Sequence, residues 1–418
     1  MGSTKIFTKE KKEQKKMNIL VINAGSSSLK SQLIEVESGK VIAKVLAERV
    51  GTPETILTFK AETNEIKVKK PGDHQKSIAM TLKLLTDPVF GVIDNLEEID
   101  AIGHRVVHGG ELYCKPMLIT SKVIDGIRNC NALAPLHNPA CLLGISACKK
   151  LMPEKKQVAI FDTAFHQTMS EERFLYPIPR KYYEKHQIRK YGFHGISHNY
   201  LAETLKEIIG DAEMKAINFH LGQGASLCAV KDGKSVDTTM GLSPLAGILM
   251  GTRSGDIDPA IVSYLASAEN IDHNDVIDIL NKESGMLALS GVSADFRDIL
   301  AEADNGNERA KMSLERYYEN VAQYAAKFVI TLDGAKQFIF AGGIGENSPI
   351  VRSEICKKLH LFGVELDETL NAQAIGKKMK ISSSHSAIDV YVIPTNEELL
   401  IARQTVQTVE VEETKTEA

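Results

Sequence analysis

A short apolar strand, Ile19 to Ile22, runs into Asn23-Ala24-Gly25-Ser26-Ser27-Ser28-Leu29-Lys30, and the same design returns mid-chain. There, Ala216 to Phe219 runs into His220-Leu221-Gly222-Gln223-Gly224-Ala225-Ser226-Leu227. In each stretch glycines and hydroxyl residues separate two apolar strands, and a glycine turn follows at Ser38-Gly39 or Asp232-Gly233. Both predict β-hairpins. Glycine lets backbone N–H groups approach a ligand closely, and turn N–H groups, serine hydroxyls and a lysine together suit phosphate oxygens. The tips carry Ser26, Ser28 and Lys30 in the first hairpin and His220, Gly222, Gln223 and Gly224 in the second. Single Gly/Ser hairpin tips are common and most bind nothing. A pair, one per half, predicts a duplicated fold that grips a polyphosphate between two lobes.

Two similar motifs are excluded. Gly25 to Ser31 resembles a phosphate-binding P-loop, but Leu29 stands where that motif requires glycine, and no helix signal opens there. Gly343-Ile344-Gly345 has Ser348 in place of the third glycine of a dinucleotide fingerprint.

With 418 residues the chain predicts two domains. A net charge of −4 gives no basic footprint for nucleic acid, and no apolar run reaches the roughly 18 residues of a membrane span. Residues 1–16 are lysine-rich without an apolar h-region; they read as an N-terminal extension, disordered or extraneous to a natural start at Met17. Six cysteines lack metal-ligand spacing, so reduced, buried thiols and a cytoplasmic location are expected.

Alternating segments (Val41 to Val50, Ile56 to Phe59, Glu65 to Val68) precede helical periodicity from His74 to Leu85. Short buried strands follow at Ile99 to Gly103 and Gln157 to Phe161, each ending in polar residues, the usual ligand side of an α/β sheet. In the second half, helices are expected at about Ile257 to Ala268, Asn274 to Asn281 and Glu308 to Leu332, and strands at Gln337 to Phe340 and Asp389 to Ile393. A last helix is expected at about Glu397 to Val411, with an acidic tail beyond Thr405 that frays. The expected domains are 17–165 with about 397–418, and 166–396.

Together, NAGSSSLK (Asn23 to Lys30), GHRVVHGGE (Gly103 to Glu111), APLHNP (Ala134 to Pro139), FDTAFHQT (Phe161 to Thr168), YGFHGISH (Tyr191 to His198), GTRSGDIDP (Gly251 to Pro259), DFRDI (Asp295 to Ile299), GGIGENS (Gly342 to Ser348) and TNEEL (Thr395 to Leu399) resemble the acetate kinase family. That family lies in the superfamily of sugar kinases, actin and heat-shock chaperone ATPases. The resemblance spans about Met17 to Gln407. It implies an α/β fold of two ribonuclease-H-like domains (duplicated βββαβαβα order) with an interdomain active-site cleft, and a homodimer. It implies reversible transfer of the ATP γ-phosphoryl group to acetate, giving acetyl phosphate and ADP, with magnesium, or manganese in its place.

Such a transfer brings two anions together, so the site must supply positive charge and alignment; a carboxylate, already deprotonated, needs no general base. The resemblance implies that Arg105 and Arg253 position carboxylate and phosphoryl oxygens, and that His194 stabilises the phosphoryl group in flight. It places Glu397 and Asn23 at the metal and Asp162 near it, although Asp162 at a strand end equally suits a helix cap. Glu398 reads as a solvated or first-turn carboxylate. Gly224, Asp295, Phe296, Arg297, Gly343, Ile344, Gly345 and Asn347 match the nucleotide pocket, and Val107, Leu136, Phe193 and Pro244 the apolar acyl pocket.

The chain departs from the family's usual pattern at Gln223 (commonly Asn), Gly342 (Ala), Ala294 (Ser) and Ser254 (Cys). Rivals are a relative acting on propionate or butyrate, one using pyrophosphate as donor, and a nucleotide-dependent clamp or chaperone. The last would lack the paired arginines and His194.

Overall fold

The computed structural model describes residues 16–417 apart from Thr63, Pro71 and Leu136. The expected N-terminal extension, save Lys16, and the role expected of Leu136 lie outside the described residues.

The strands are β1 (Asn18–Ala24), β2 (Ser28–Glu35), β3 (Lys40–Glu48), β4 (Ile56–Ala61), β5 (Glu65–Lys69), β6 (Ala101–Val106), β7 (Met117–Leu118) and β8 (Lys156–Phe161), then β9 (Lys215–Leu221), β10 (Ala225–Lys231), β11 (Lys234–Thr238), β12 (Gln337–Ala341), β13 (Met379–Lys380) and β14 (Asp389–Val392). One sheet has the order β5-β4-β3-β2-β1-β6-β8-β7, the other β11-β10-β9-β12-β14-β13. Both share a kernel: three antiparallel strands in reverse order, β3-β2-β1 and β11-β10-β9, then a strand parallel to the third, β6 or β12. The duplication anticipated from the two hairpins is this kernel. The hairpins close as expected, with Asn23 opposite Lys30 and Leu221 opposite Ala225. At the β10–β11 turn Asp232 and Gly233 both have positive φ (50° and 77°), the Asp-Gly requirement of a tight hairpin.

Packing divides the chain into two units. The first runs through His104, with Leu143–Val158 and Ile401 onward; the second holds Arg105–Leu142 and Ala159–Leu400. The sequence reading kept 105–142 with the first domain. In the structure Val107 and Ala134 instead pack into the apolar cluster of Phe193, Phe219 and Phe340, and Tyr113 stacks on Phe161 at 4.8 Å.

The first unit buries Leu20, Ile22, Leu33 and Phe59 against Ile78 and Leu82 of helix His74–Leu85, which Asp73 caps by accepting from the Lys76 N–H. The terminal helix extends to Glu417, past the expected end. Buried Thr405 and Val409 anchor it, and Glu413 pairs with Lys156 at 2.7 Å.

In the second unit, Asn307 caps the long helix Glu308–Thr331 through the Arg309 and Ala310 N–H groups. Its buried face, from Ala310 and Leu314 through Tyr317, Val321 and Phe328, repeats at helical spacing. The helix expected from Ile257 begins at Ala260, because Pro259 suits only a helix start.

None of the six cysteines is in a disulfide; five are buried, but Cys114 is exposed, against expectation. Among the described residues no helix is long and apolar enough to cross a membrane.

Candidate active site

At the end of β8 the chain leaves Asp162, 1% exposed, beside the start of helix Gly195–Ile209. That helix has no side-chain cap of its own: the preceding residue, His194, is left-handed (φ 55°). Asp162 takes over this duty from a distance. Its Oδ2 accepts from the His194 N–H (3.0 Å), its Oδ1 from the Ile196 N–H (3.4 Å), and its backbone carbonyl from the Gly195 N–H (2.9 Å). A methyl at Gly195 would sit 2.1 Å from that carbonyl oxygen, so only glycine allows the approach. Of the two alternatives for Asp162 the structure shows the helix cap, and its Oδ2 also accepts from Arg105 Nη2 at 3.0 Å.

Arg105 has a second acid, Glu397, whose Oε2 lies 3.8 Å from its Nε. Burial works against the Arg105 charge, but Asp162 and Glu397 outweigh it and hold the guanidinium protonated beyond its ordinary range. Arg253 is different. Among the described residues no carboxylate lies within ion-pair distance of it; its Nη1 reaches the Pro244 carbonyl at 3.4 Å and the Met250 sulfur at 3.9 Å. Burial pushes its affinity for the proton down.

His194 closes the group. Its Nε2 and Arg253 Nη1 converge on Gly224, lying 3.6 and 3.2 Å from where a methyl there would sit. Its Nδ1 lies 2.9 Å from the Ser226 hydroxyl, and the His220 ring lies 4.3 Å away, tilted by 30°. Burial, then His220, His198 and the two arginines, push its pKa well below the usual value, so the ring is neutral. Burial brings His220 down to about 4. Val107 and Phe193, both buried, share one apolar cluster, while Pro244 is half-buried.

A separate cavity of about 550 Å³ is lined by Gly222, Gln223, Asp295, Phe296, Arg297, Gly343, Ile344 and Asn347, all anticipated, and by Leu300, Ser348 and Pro349, which were not. Asp295 caps helix Phe296–Asp304 and pairs with Arg297 at 2.6 Å. The Gln223 amide donates to the Ala294 carbonyl at 3.2 Å, tying the hairpin tip to the opposite wall. Gly345 is not part of the lining; its carbonyl accepts from Arg352 Nη1 at 2.8 Å.

Of the remaining candidates, Ser26 and Lys30 are exposed and Asn23 and Ser28 half-buried at the first hairpin, in the first unit. Its tip is fixed by His74 Nε2, 2.7 Å from the Gly25 carbonyl oxygen.

Sequence reasoning missed several supports. His198 and Ser226 flank His194 by hydrogen bonds, and Glu346 Oε1 accepts from the Gly342 and Thr395 N–H groups, at 2.8 and 3.0 Å. Fully buried Arg352 holds the Gly345 and Glu346 carbonyls. His137 also stands close enough to Arg105 and Arg253 for both to depress its pKa, after burial. The spacing of His194 and His198, one helical turn, was the one usable signal.

The acetokinase family profile matches residues 18–403. An acetate kinase of Clostridium botulinum (strain 657 / Type Ba4) is 48% identical over 392 residues, 93% of this chain and 98% of its own. One from Thermoanaerobacterium thermosaccharolyticum is 49% identical over 398 residues, 94% of this chain and 99% of its own. Among solved structures, Porphyromonas gingivalis acetate kinase superposes with a TM-score of 0.91 at 39% identity, covering 94% of this chain and 100% of its own. A Francisella tularensis propionate kinase gives 0.88 at 41%, covering 94% and 99%. The chain belongs to the acetokinase family.

Proposed function

We propose that this chain is an acetate kinase, transferring the γ-phosphoryl group of ATP reversibly to acetate to give acetyl phosphate and ADP. The observation that carries the reading is Arg253: a half-buried guanidinium with no carboxylate partner among the described residues, beside a neutral imidazole. Such a cation is stabilised by an anion arriving from solution, and a planar fork of donors suits carboxylate or phosphoryl oxygens. Arg105, already braced by Asp162 and Glu397, orients the acid. Val107 and Phe193 supply the apolar wall for its methyl group. Neutral His194 is not called on to take a proton from a carboxylate, in keeping with in-line transfer without a general base.

Among the described residues no group of three or more His, Cys, Asp or Glu side chains could hold a metal ion. Magnesium bound with ATP needs only one or two carboxylates besides phosphates and waters, and the half-buried carboxylate of Glu397 fits that demand. When bound, the ion neutralises charge on the phosphates. A homodimer in the cytoplasm is part of the same reading.

A hydroxamate assay with formate, acetate, propionate and butyrate, with ATP or pyrophosphate and with or without magnesium, tests the proposal. Acetate with ATP and magnesium should be fastest. Propionate should follow within about 10- to 200-fold, the discrimination one methylene allows. Faster turnover of propionate, or of pyrophosphate, would replace the reading with the corresponding rival.

The Gln223 tie changes one expectation. By sequence, Gln223→Asn restores the family's usual residue and should improve ATP use. In the structure the extra methylene is what brings the amide to Ala294, so Gln223→Asn should raise the ATP KM about fivefold, one hydrogen bond's worth, and leave the acetate KM unchanged. A lower ATP KM would mean that the tie is dispensable.

A further inference from the structure

Ser226 sits between two imidazoles. Its Oγ is 2.9 Å from His194 Nδ1 and 2.9 Å from His198 Nε2, and serine has a single proton to donate. Both rings are buried and neutral, so each has one N–H and one lone pair. Were both rings to donate to Ser226, the hydroxyl proton of this fully buried serine would be left with no acceptor among the described residues; two arrangements remain. In one, His198 Nε2–H donates to Ser226 and Ser226 donates to His194 Nδ1. In the other, every arrow is reversed.

The far end of the chain decides the direction. His198 Nδ1 is buried and has no hydrogen-bond partner. In the reversed arrangement that nitrogen would carry the proton, leaving an N–H donor in a buried site with nothing to accept it. In the forward arrangement it carries only a lone pair. Orphaned buried donors are the rarer and costlier of the two. The forward direction leaves His194 with its proton on Nε2, the atom that converges with Arg253 Nη1 on Gly224.

We propose that His198 and Ser226 are positioning residues that lock His194 in its Nε2–H tautomer, so that this ring presents a hydrogen-bond donor rather than a lone pair to the phosphoryl oxygens. The inference rests on the functional reading above for what His194 meets, but the tautomer itself does not. The reversed tautomer would aim a lone pair at an anion and repel the group it has to hold. Helix geometry explains the pairing: His194 and His198 stand one turn apart, and β10 brings Ser226 against both.

The test is a long-range proton–nitrogen correlation spectrum of the full chain labelled with 15N in the histidine rings, His194 and His198 being assigned by loss of signal in His194→Gln and His198→Gln. Protons on Nε2 of both rings are expected; a proton on Nδ1 of His194, whichever nitrogen of His198 carries its own, overturns the proposal, whatever the turnover. In kinetics, Ser226→Ala should lower kcat about tenfold with both KM values little changed, as lost outer supports commonly do, and Ser226→Thr should recover most of it. His198→Gln, which keeps an N–H near the Nε2 position, should stay closer to wild type than His198→Met, giving a second route should Ser226→Ala not fold. Unchanged kcat in both Ser226→Ala and His198→Met overturns the positioning role. Full activity of His194→Ala would instead overturn the functional reading and leave the tautomer result standing.

Discussion

Replacing Arg253 with alanine is expected to lower turnover about 10³-fold or more while the thermal midpoint stays close to that of the parent. The size follows from the role: a guanidinium that meets transferring phosphoryl charge accounts for about 10³ to 10⁵ in phosphoryl transfer. The intact fold follows from the surroundings, because Arg253 has no carboxylate partner among the described residues to be left uncompensated. Lysine there should recover only part of the loss, since a point charge lacks the fork. Arg105→Ala is not an equivalent experiment, although sequence reasoning gives the two arginines one role. It strips a cation from the almost fully buried Asp162 and should reduce stability as well as turnover. Near-normal turnover in Arg253→Ala, measured with a circular-dichroism melt as the fold control, would remove Arg253 from the site.

The second large effect is acid lability. Burial pushes His108, His166 and His220 in the second unit from 6.5 to about 4, and holds His194 and His198 well below 6.5. Their folded values lie below the unfolded one, so between about pH 6.5 and pH 4 the unfolded chain binds more protons. The stability they contribute is complete above pH 6.5 and is lost as the pH falls through that window. One such ring withdraws about 2 kcal/mol by pH 5, and three withdraw about 6, within the range of a whole domain's stability. Urea midpoints should therefore fall steeply from pH 7 to 5. A flat profile across those two units would show that the rings take up protons in place.

Much of this was legible because it is local. The Gly-Ser hairpins, the helix His74–Leu85 and the periodic face of Glu308–Thr331 each depend on neighbours in sequence, and each lies where the pattern puts it. The residues that line the cavity of about 550 Å³ were legible only through resemblance, since nothing in DFRDI or GGIGENS alone indicates that Phe296 and Ile344 line one cavity. What escaped depends on contacts between distant segments. Ser226 reads as one more hydroxyl in a hairpin until helix Gly195–Ile209 is laid against β10. Buried Arg352 reads as a surface cation because its partners are carbonyls, which have no signature in sequence. The placement of 105–142 escaped for the same reason: the strand that begins the segment belongs to one sheet by pairing, while its later side chains pack elsewhere.

Asp162 has a consequence for how such a chain can change over time. One carboxylate terminates a helix and holds Arg105, through atoms that cannot be altered separately. Asparagine would retain the shape but surrender the charge; glutamate would retain the charge but overrun the space. Drift at this position is therefore penalised twice by selection, once for making less folded protein and once for making a worse catalyst. Retuning the acid-binding end for a new substrate has to begin at the residues around Asp162, with that side chain as the fixed point.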